Sequence, residues 1–327
     1  MSESVLITGA SGFLGYHLII AALEKKLEVF AAVRDNSRIE HLKELPITFV
    51  SLNYEDVSAL SKVLTDNKIN YIIHAAGVTK AVKQQEYDYV NVGYSVNLAK
   101  AVGVDGNYFK KMIFISSLAA VGPLTDDVNV INEQTSPMPV TAYGRSKLLA
   151  EKELAAAKIP LTILRPTAIY GPRDKDIFII IKTINRGFDP YIGKFLQQLS
   201  FVHARDVADV AIQALSANKT GIYNISDGNN YSRYQFADIA RKILKKNPIR
   251  VHIPMPLIKV LVYFLETTNG WINKPTVINR EKLHELAAKN WICDISKAKA
   301  ELDFSPKFNL ETGLKDSIQW YQSNKLL

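Results

Sequence analysis

Near its N-terminus the chain reads Val5-Leu-Ile-Thr-Gly-Ala-Ser-Gly-Phe-Leu-Gly15. The apolar run before Gly9 predicts a buried parallel strand, and the pattern from Gly12 onward predicts a helix that follows at once. Gly9 suits a tight turn, Gly12 lets backbone N–H groups approach a pyrophosphate, and Gly15 lets the helix pack closely on the strand. The stretch therefore predicts a dinucleotide-binding turn at a helix N-terminus, although three glycines at this spacing also occur by chance.

The composition is that of an ordinary globular protein, with 327 residues, 47% hydrophobic and 22% charged. The net charge of +8 suits an anionic cofactor, and because the basic residues are scattered we expect no nucleic-acid partner. A single cysteine, Cys293, excludes a disulfide and a cysteine-based metal site, and we expect no metal. The longest apolar run, Leu257–Leu265, is shorter than the ~20 residues of a membrane span. The first strand begins almost at once, so we expect no signal peptide and a cytoplasmic enzyme.

Strand-like apolar runs alternate with helical patterns across the first half of the chain. This alternation predicts an α/β fold, a Rossmann-type doubly wound parallel sheet with helices on both faces. Ligands of such sheets bind beyond the carboxyl ends of the strands. The predicted strands are Glu3–Thr8, Glu28–Val33, Thr48–Leu52, Tyr71–Ala75, Met112–Ser117 and Leu161–Arg165. The predicted helices are Gly12–Lys25, Asp56–Asn67, Val90–Val104 and Thr141–Lys158.

The alternation loosens after Tyr170-Gly-Pro172. We therefore expect residues 1–172 to form an NAD(P)-binding Rossmann domain. Residues 173–327 are expected to be mainly a small substrate-binding lobe, with segments at about 200–226 returning to the Rossmann core. We expect Pro256–Glu266 to be a buried helix of this lobe; the alternatives are a wall of an apolar pocket or a contact with a membrane surface. The other predicted elements are helices Ile177–Arg186, Asp206–Ser216, Ser232–Leu244, Asn279–Ala288 and Leu310–Ser323, and strands Gln198–Val202 and Gly221–Ile225.

Tyr143 and Lys147 stand four residues apart at the start of a predicted helix, so their side chains share one face. A tyrosine with an ordinary pKa near ~10 is a poor base at neutral pH, and a nearby ammonium favours the phenolate. The preceding strand ends in Ser116-Ser117, which places a hydroxyl where a substrate would lie. Ser117 is the better candidate because Ser116 points to the other face of the strand. Tyr-x-x-x-Lys alone is also common on exposed helices.

In combination these features resemble the extended short-chain dehydrogenase/reductase family, also called the NAD-dependent epimerase/dehydratase family, over essentially the whole chain. Each motif is weak alone, and their order and spacing make the resemblance specific. It implies an NAD(P)-dependent enzyme with a small-molecule substrate, and often a homodimer. The motifs are Thr8-Gly-Ala-Ser-Gly-Phe-Leu-Gly15, His74-Ala-Ala-Gly77, Val90-Asn-Val-Gly93, Ser116-Ser117, Tyr143-x-x-x-Lys147, Arg165-Pro-Thr-Ala-Ile-Tyr-Gly-Pro172 and Phe201-Val-His-Ala-Arg-Asp-Val207.

The resemblance implies a role for each matching residue. Tyr143 would be the catalytic acid/base, and Lys147 would lower its pKa and hold the nicotinamide ribose. Ser117 would orient the reacting oxygen, and Asn91 would help hold the lysine and a relay water; the alternative for Asn91 is a surface helix residue. Asn53 replaces the usual Asp, and its amide oxygen can still accept from adenine. The implied cofactor-binding residues are Thr8, Gly9, Ser11, Gly12, Phe13, Leu14, Gly15, Arg34, Arg38, Asn53, Tyr54, His74, Ala75, Ala76, Gly77, Tyr143, Lys147 and Pro166.

Arg34 follows the second strand, at the position where NAD-preferring relatives carry an acid that binds the ribose 2′-hydroxyl. A basic residue there accommodates the 2′-phosphate of NADP, with Arg38 as a second clamp and Ser37 as a hydrogen-bond donor. Asp35 keeps NAD open, because it would take the ribose if the loop shifted by one residue. The sequence therefore favours NADP, with NAD as the alternative.

Two reaction classes compete. Nucleotide-sugar epimerases and dehydratases of the family grip the diphosphate with two arginines, and here Leu199 and the segment 288–294 lack them. The segment Ser116–Pro123 resembles hydroxysteroid dehydrogenases and dihydroflavonol reductases instead. We therefore predict net hydride transfer between nicotinamide and a ketone or secondary alcohol. The alternatives are a nucleotide-sugar epimerase or dehydratase with retained NAD, and a non-catalytic dinucleotide-binding protein. Four other cations could replace the missing arginines: Arg173, Lys175, Lys194 and Arg233.

Overall fold

The computed structural model describes residues 3–103, 108–126, 128–271 and 279–327, with the backbone alone described at 264–271. The strands of this part are β1 Ser4–Thr8, β2 Glu28–Ala32, β3 Thr48–Val50, β4 Tyr71–His74, β5 Lys111–Ile115, β6 Leu161–Pro166, β7 Ala168–Tyr170, β8 Phe188–Ile192, β9 Gln198–Leu199, β10 Phe201–His203, β11 Gly221–Ile225, β12 Tyr231–Ser232 and β13 Ile249–Ile253. The α-helices are α1 Phe13–Glu24, α2 Val57–Asp66, α3 Gln84–Tyr87, α4 Tyr94–Val102, α5 Ala142–Ala156, α6 Asp176–Asn185, α7 Ala204–Ser216, α8 Gln235–Leu244, α9 Met255–Trp271, α10 Arg280–Ala287, α11 Ser296–Leu302 and α12 Leu310–Ser323.

One parallel sheet of seven strands forms the centre of the molecule, in the order β11-β6-β5-β4-β1-β2-β3. The chain moves outward from β1 to β3 and then returns to the other side of β1 at β4. The strand order therefore reverses between β1 and β4, which is where doubly wound sheets bind ligands. The register pairs Thr8 with His74, so the carboxyl ends of these two strands lie side by side. The predicted Rossmann-type fold is confirmed.

The sheet is buried on both faces. Val5 and Ile7 belong to one apolar cluster, which is shared with α1 and α7. The intervening Leu6 belongs to a second cluster, together with Phe114 and residues of α2, α4 and α5. Because successive side chains of a strand point to opposite faces, a strand covered on both sides is apolar at every position. This is why the central strands were recognisable as continuous apolar runs.

Several predicted boundaries were wrong. The strand predicted at Gln198–Val202 is two short strands, β9 and β10, which are separated at Ser200 and join different small sheets. The helix predicted at Val90–Val104 begins earlier, as α3, passes through a π-helical turn at Asp88–Gly93 and continues as α4. Its predicted last residue, Val104, lies outside the described residues. The sequence did not predict β7, β8, β12, β13 or α11, which are each seven residues or fewer.

A third apolar cluster holds the C-terminal part together, with Ile181 of α6, Phe236 of α8 and Leu314 of α12 among its buried members. In contrast, α9 exposes most of its described side chains, although Val262 is buried. The expectation that Pro256–Glu266 is a buried helix is therefore wrong for the side chains described up to Tyr263. Within the described residues, no helix is both long and apolar enough to cross a membrane.

Candidate active site

The turn after β1 leaves room for a bound group close to the backbone. Gly9 has a φ of +69°, and a Cβ there would lie 2.7 Å from the Ala75 carbonyl oxygen. A Cβ at Gly15 would lie 2.2 Å from the Gly9 oxygen, so neither glycine tolerates a side chain. Gly12 is the N-cap of α1 and no side chain of the described residues caps this helix, so its first N–H groups remain open to a pyrophosphate. Other predicted cofactor residues lie in this turn or in the first turn of α1: Ser11, Phe13 and Leu14.

A directed chain of hydrogen bonds joins the ends of β1 and β4. The Ala76 N–H donates to Thr8 Oγ1 at 3.0 Å, and Thr8 Oγ1 lies 2.7 Å from His74 Nδ1. His74 Nε2 lies 2.9 Å from Ser95 Oγ, which itself donates to the Asn91 carbonyl at 2.7 Å. Because Ser95 gives its only proton to Asn91, His74 donates from Nε2 and accepts at Nδ1. Burial lowers the pKa of His74 to about 3, so the ring is neutral and its tautomer is fixed.

Asn91 is fully buried in the π-helical turn between α3 and α4. Its Oδ1 accepts from the Val78 N–H at 2.8 Å, and its Nδ2 donates to the Val78 carbonyl at 3.1 Å and to Ser146 Oγ at 2.9 Å. Ser146 Oγ donates to the Tyr143 carbonyl at 2.8 Å. The Asn91 side chain is thus tied to α5 through Ser146. Its implied role in holding Lys147 and a relay water stays a prediction.

Tyr143 lies in the first turn of α5, which Thr141 caps by accepting from the Gly144 N–H at 3.0 Å. Ser117 follows β5, accepts from the Ala119 N–H at 3.2 Å and lies close enough to Tyr143 to affect its pKa. Burial raises the pKa of Tyr143 to about 12, and Ser117 acts in the opposite direction. The phenol is therefore protonated at neutral pH, and the lowering of its pKa by Lys147 that the resemblance implies stays a prediction.

Lys147 is buried beneath the end of β5. Its Nζ donates to the Ile115 carbonyl at 2.9 Å and lies 4.7 Å from the centroid of the Phe114 ring. A Cβ at Gly77 would lie 3.5 Å from the same Nζ, so the loop after β4 passes directly over the ammonium. Burial lowers the pKa of Lys147 to about 8, and the Glu151 carboxylate opposes this shift. The side chain is therefore still mostly charged at neutral pH.

A buried ion pair continues the same face of α5. Arg165 Nε lies 2.9 Å from Glu151 Oε1, and each of the two side chains is only 3% exposed. The Ser116 hydroxyl also donates to Glu151. Sequence reasoning missed Glu151 as a site residue. A signal was present, because Tyr143, Lys147 and Glu151 follow one another at intervals of four residues on one helix face.

The turn after β2 carries the residues predicted to choose between NAD and NADP. Arg34 and Arg38 are both exposed, and neither forms an ion pair with any residue that the structure describes. The turn itself is closed by the Arg34 N–H, which donates to Ser37 Oγ at 3.1 Å, and by the Ser37 N–H, which donates to the Arg34 carbonyl at 2.9 Å. The backbone of Arg34 is thus fixed by the turn, and both guanidinium groups lack an ion-pair partner among the described residues.

The remaining predicted cofactor residues lie at the ends of β3 and β6. Asn53 is exposed, and its Oδ1 accepts from the Glu55 N–H at 3.2 Å. Tyr54 is half-buried and stacks on Tyr94, with ring centroids 4.4 Å apart and planes 6° from parallel. Pro166 is the last residue of β6 and is paired with β11. These residues border the same carboxyl edge of the sheet as the glycine turn.

The helix α10, from the C-terminal part of the chain, packs on α5. Glu281 of α10 accepts from the Ala142 N–H at 2.5 Å and from Arg145 Nη2 at 2.6 Å. Glu285, one turn further along α10, contributes to the raised pKa of Tyr143. Sequence reasoning missed this contact because Ala142 and Glu281 are 139 residues apart and no local pattern connects them.

The glycine turn, the Tyr143–Lys147 pair and Ser117 lie at one edge of the sheet, and comparison with known proteins assigns the chain to a family. A family model described as the NAD dependent epimerase/dehydratase family matches residues 5–226. The chain belongs to this family. The NAD-dependent epimerase/dehydratase family is one of enzymes with a Rossmann-like fold, and it includes dehydrogenases, reductases, epimerases and dehydratases.

Members of the family with different activities resemble the chain equally well. Ceramide reductase of Caulobacter vibrioides is 25% identical over 321 residues, which cover 98% of this chain and 94% of the relative. UDP-glucose 4-epimerase of Vibrio cholerae is 26% identical over 336 residues, which cover 98% and 95%. The crystal structure of a Thermotoga maritima UDP-glucose 4-epimerase with UDP-glucose has a TM-score of 0.81 at 21% identity and covers 98% of this chain and 99% of that one. Similarity therefore assigns the family and not the reaction.

Proposed function

We propose that this protein is an oxidoreductase that transfers a hydride between NADP and a ketone or secondary alcohol, with Tyr143 as the acid/base. The observation that carries the proposal is the placement of the Tyr143 phenol beside Ser117 and one helical turn from Lys147. A tyrosine phenol holds its proton at neutral pH, so in this place it would donate that proton to a carbonyl oxygen held by Ser117.

The remaining groups would position the reactants. A bound nicotinamide cofactor would supply or accept the hydride. The N–H groups at the start of α1 would bind its pyrophosphate, and the Lys147 ammonium would hold ribose hydroxyls. Ser117 would hold the substrate oxygen beside the Tyr143 hydroxyl, so that one proton passes from Tyr143 as the carbonyl becomes an alcohol. The hydrogen bonds of His74 and those between Asn91 and Ser146 would hold these groups in their relative positions.

The preference for NADP rests on the turn after β2. Arg34 and Arg38 present two guanidinium groups that lack a carboxylate partner among the described residues. Guanidinium groups bind phosphate through paired hydrogen bonds, and the Ser37 hydroxyl still has a proton to donate. Asp35 is exposed in the same turn, and NAD remains the alternative cofactor.

The cations of the small lobe favour a substrate without a diphosphate. Arg233, one of the substitutes that the sequence offered, donates to the carbonyls of Phe195 at 3.1 Å and Ile192 at 2.9 Å. Arg173, another, lies 4.1 Å from the ring centroid of Tyr16 and 5.4 Å from that of Trp320, so it stacks between two aromatic rings. Arg233 is therefore bonded to backbone carbonyls and Arg173 packs against aromatic rings, and a neutral, less polar ketone is the substrate class that we propose.

A nucleotide-sugar epimerase is the second candidate. The similarity to UDP-glucose 4-epimerases favours it, and Lys175 and Lys194 are exposed and could meet a diphosphate. In that case the same acid/base would oxidise and re-reduce the sugar while NAD stays bound.

A substrate panel separates the two candidates. The purified protein is mixed with NADPH and either a series of ketones, from small to steroid-sized, or UDP-glucose, and the near-ultraviolet absorbance of reduced nicotinamide is followed. We expect NADPH to be consumed with a ketone and to persist with UDP-glucose. Interconversion of UDP-sugars without net consumption of NADPH would overturn the oxidoreductase proposal. The Tyr143→Phe variant serves as the blank, with Tyr87→Phe as the matched control, because the Tyr87 ring lies 6.5 Å from that of Tyr143.

A further inference from the structure

One segment in the C-terminal part of the chain contains basic residues and no acidic residue. Between Ile239 and Leu265 the chain has six Lys or Arg residues and no Asp or Glu, although acids make up 32 of its 327 residues. Arg241 and Arg250 form ion pairs with carboxylates from outside this segment. The other four are exposed lysines, and the described residues place no carboxylate within ion-pairing distance of them: Lys242, Lys245, Lys246 and Lys259.

The same segment exposes an apolar sheet face. β13 pairs in parallel with β8, and the register sets Ile249 against Phe188 and Val251 against Pro190. Residues at paired positions point to the same face of a sheet, and all four of these apolar residues are exposed. The opposite face turns inward, where Arg250 meets the buried Asp189 at 2.9 Å. The two-stranded sheet therefore has its apolar side toward the solvent.

An apolar helix stripe follows directly. Pro254 alone separates β13 from α9, on which Leu257, Val260 and Leu261 stand at positions i, i+3 and i+4. These positions share one helix face, and their relative exposure lies between 56% and 68%. A helix at the surface of a globular protein normally turns such a stripe toward the core. In this protein the apolar stripe of α9 faces the solvent, and it lies in the same segment as the four exposed lysines.

We propose that this surface docks on an anionic phospholipid bilayer. The proposed docking surface is made of parts that follow one another in the chain or pair in one sheet. They are the outer face of β8 and β13, the stripe of α9 and the four lysines that lack a carboxylate partner among the described residues. Apolar side chains that enter the interface, combined with lysines that meet anionic headgroups, are the two contributions that hold a helix on a membrane without spanning it. A second copy of this chain fits less well, because a two-fold contact would set the same lysines against one another.

The position of the surface links docking to the chemistry. α9 leads in the chain to α10, whose Glu281 contacts the first turn of α5 beside Tyr143. An apolar ketone concentrates in a bilayer, so docking would bring the site to its substrate. This link rests on the proposed function, whereas the docking itself is measured without substrate, so either can fail alone.

The test is co-sedimentation of the full-length protein with vesicles. Vesicles of equal parts phosphatidylcholine and phosphatidylserine are compared with vesicles of phosphatidylcholine alone. We expect binding to the anionic vesicles, at least roughly tenfold weaker binding to the neutral ones, and release by high salt. The double variant Val260→Glu/Leu261→Glu should lower binding to anionic vesicles by about tenfold or more, because carboxylates in the stripe are repelled by the headgroups and disfavoured in the apolar layer.

The control places two carboxylates elsewhere, as Val128→Glu/Met138→Glu, on apolar residues that are 83% and 76% exposed in the other lobe. It should bind like the wild type, and both variants should retain the wild-type unfolding temperature and NADPH affinity. No binding of the wild type to anionic vesicles, or equal loss in both variants, would overturn the proposal. A third outcome would also overturn it: the wild type forms a concentration-dependent dimer, binds no vesicles, and loses the dimer in Val260→Glu/Leu261→Glu. The surface would then be an interface between two copies of the chain.

Discussion

The inner face of α5 and the turn after β2 are built in opposite ways. On α5, Lys147 is buried and bonded to the Ile115 carbonyl, and the Glu151–Arg165 ion pair lies on the same face. On the turn, Arg34 and Arg38 are exposed and without ion pairs in the described chain. The first region pairs its charges within the protein, whereas the second leaves two guanidinium groups without a carboxylate partner among the described residues.

This difference predicts separate roles for the two regions, with the reaction assigned to α5 and the choice of cofactor to the turn after β2. The buried groups on the inner face of α5 are held by hydrogen bonds and an ion pair before any substrate arrives, so changing one of them disturbs its neighbours. An exposed guanidinium contributes little to the free energy of unfolding, so replacing it changes stability little. We therefore expect substitutions on α5 to affect turnover and folding, and substitutions on the turn to affect only which dinucleotide binds.

The largest effect is expected at Tyr143. Tyr143→Phe removes the hydroxyl that we propose as the proton donor, and ketone reduction should fall by about a thousandfold. NADPH affinity, measured by fluorescence titration, should stay within about twofold of the wild type. Tyr87→Phe, one ring away, should keep nearly full turnover. Normal turnover of Tyr143→Phe would remove this residue from the reaction.

The next effect is on folding. Glu151→Gln leaves the buried Arg165 charge without its partner, and loss of one member of a buried pair costs about 3–5 kcal/mol of unfolding free energy. Chemical denaturation measures the loss. Asp66→Asn breaks the exposed Lys62–Asp66 pair and should cost less than about 0.5 kcal/mol. An equal loss of unfolding free energy in the two variants would contradict the claim that the buried pair contributes more to stability than the exposed one.

At the turn the expected change is one of preference. Arg34→Asp replaces the group that we propose to bind the 2′-phosphate by a carboxylate that would bind a ribose hydroxyl, and the ratio of NADP to NAD affinity should fall by roughly 10- to 100-fold. Lys25→Asp makes the same charge change at the far end of α1 and should leave the ratio unchanged. An unaltered ratio in Arg34→Asp would place the 2′-phosphate elsewhere.

The smallest expected effect is a shift in the pH dependence of kcat/KM. The pKa of Lys147 is about 8 and that of Tyr143 about 12, so kcat/KM for ketone reduction should fall as the pH rises through about 8, when Lys147 loses its proton. Glu151 raises the pKa of Lys147, so Glu151→Gln should move this limb to lower pH. A profile that stays level up to about pH 10 would contradict the assignment to Lys147.

The regions also differ in how far the sequence predicts them. The central strands were predictable because burial on both faces makes them continuous apolar runs. The Phe188–Ile192 and Ile249–Ile253 strands were not, because each mixes apolar and polar residues and pairs with a distant segment. Glu151 was within reach through its spacing from Lys147, whereas Glu281 approaches α5 from a remote helix and has no local signature. The roles of Tyr143 and the other site residues remain predictions.

The most direct test of the central claim is the fate of the hydride. NADPH deuterated at nicotinamide C4, on the transferred face, is incubated with a ketone that the protein reduces, and the alcohol is examined by mass spectrometry. We predict one deuterium in each product molecule, equal consumption of NADPH, and loss of both with Tyr143→Phe. Turnover that leaves NADPH unconsumed and the product free of deuterium would contradict net hydride transfer at this site.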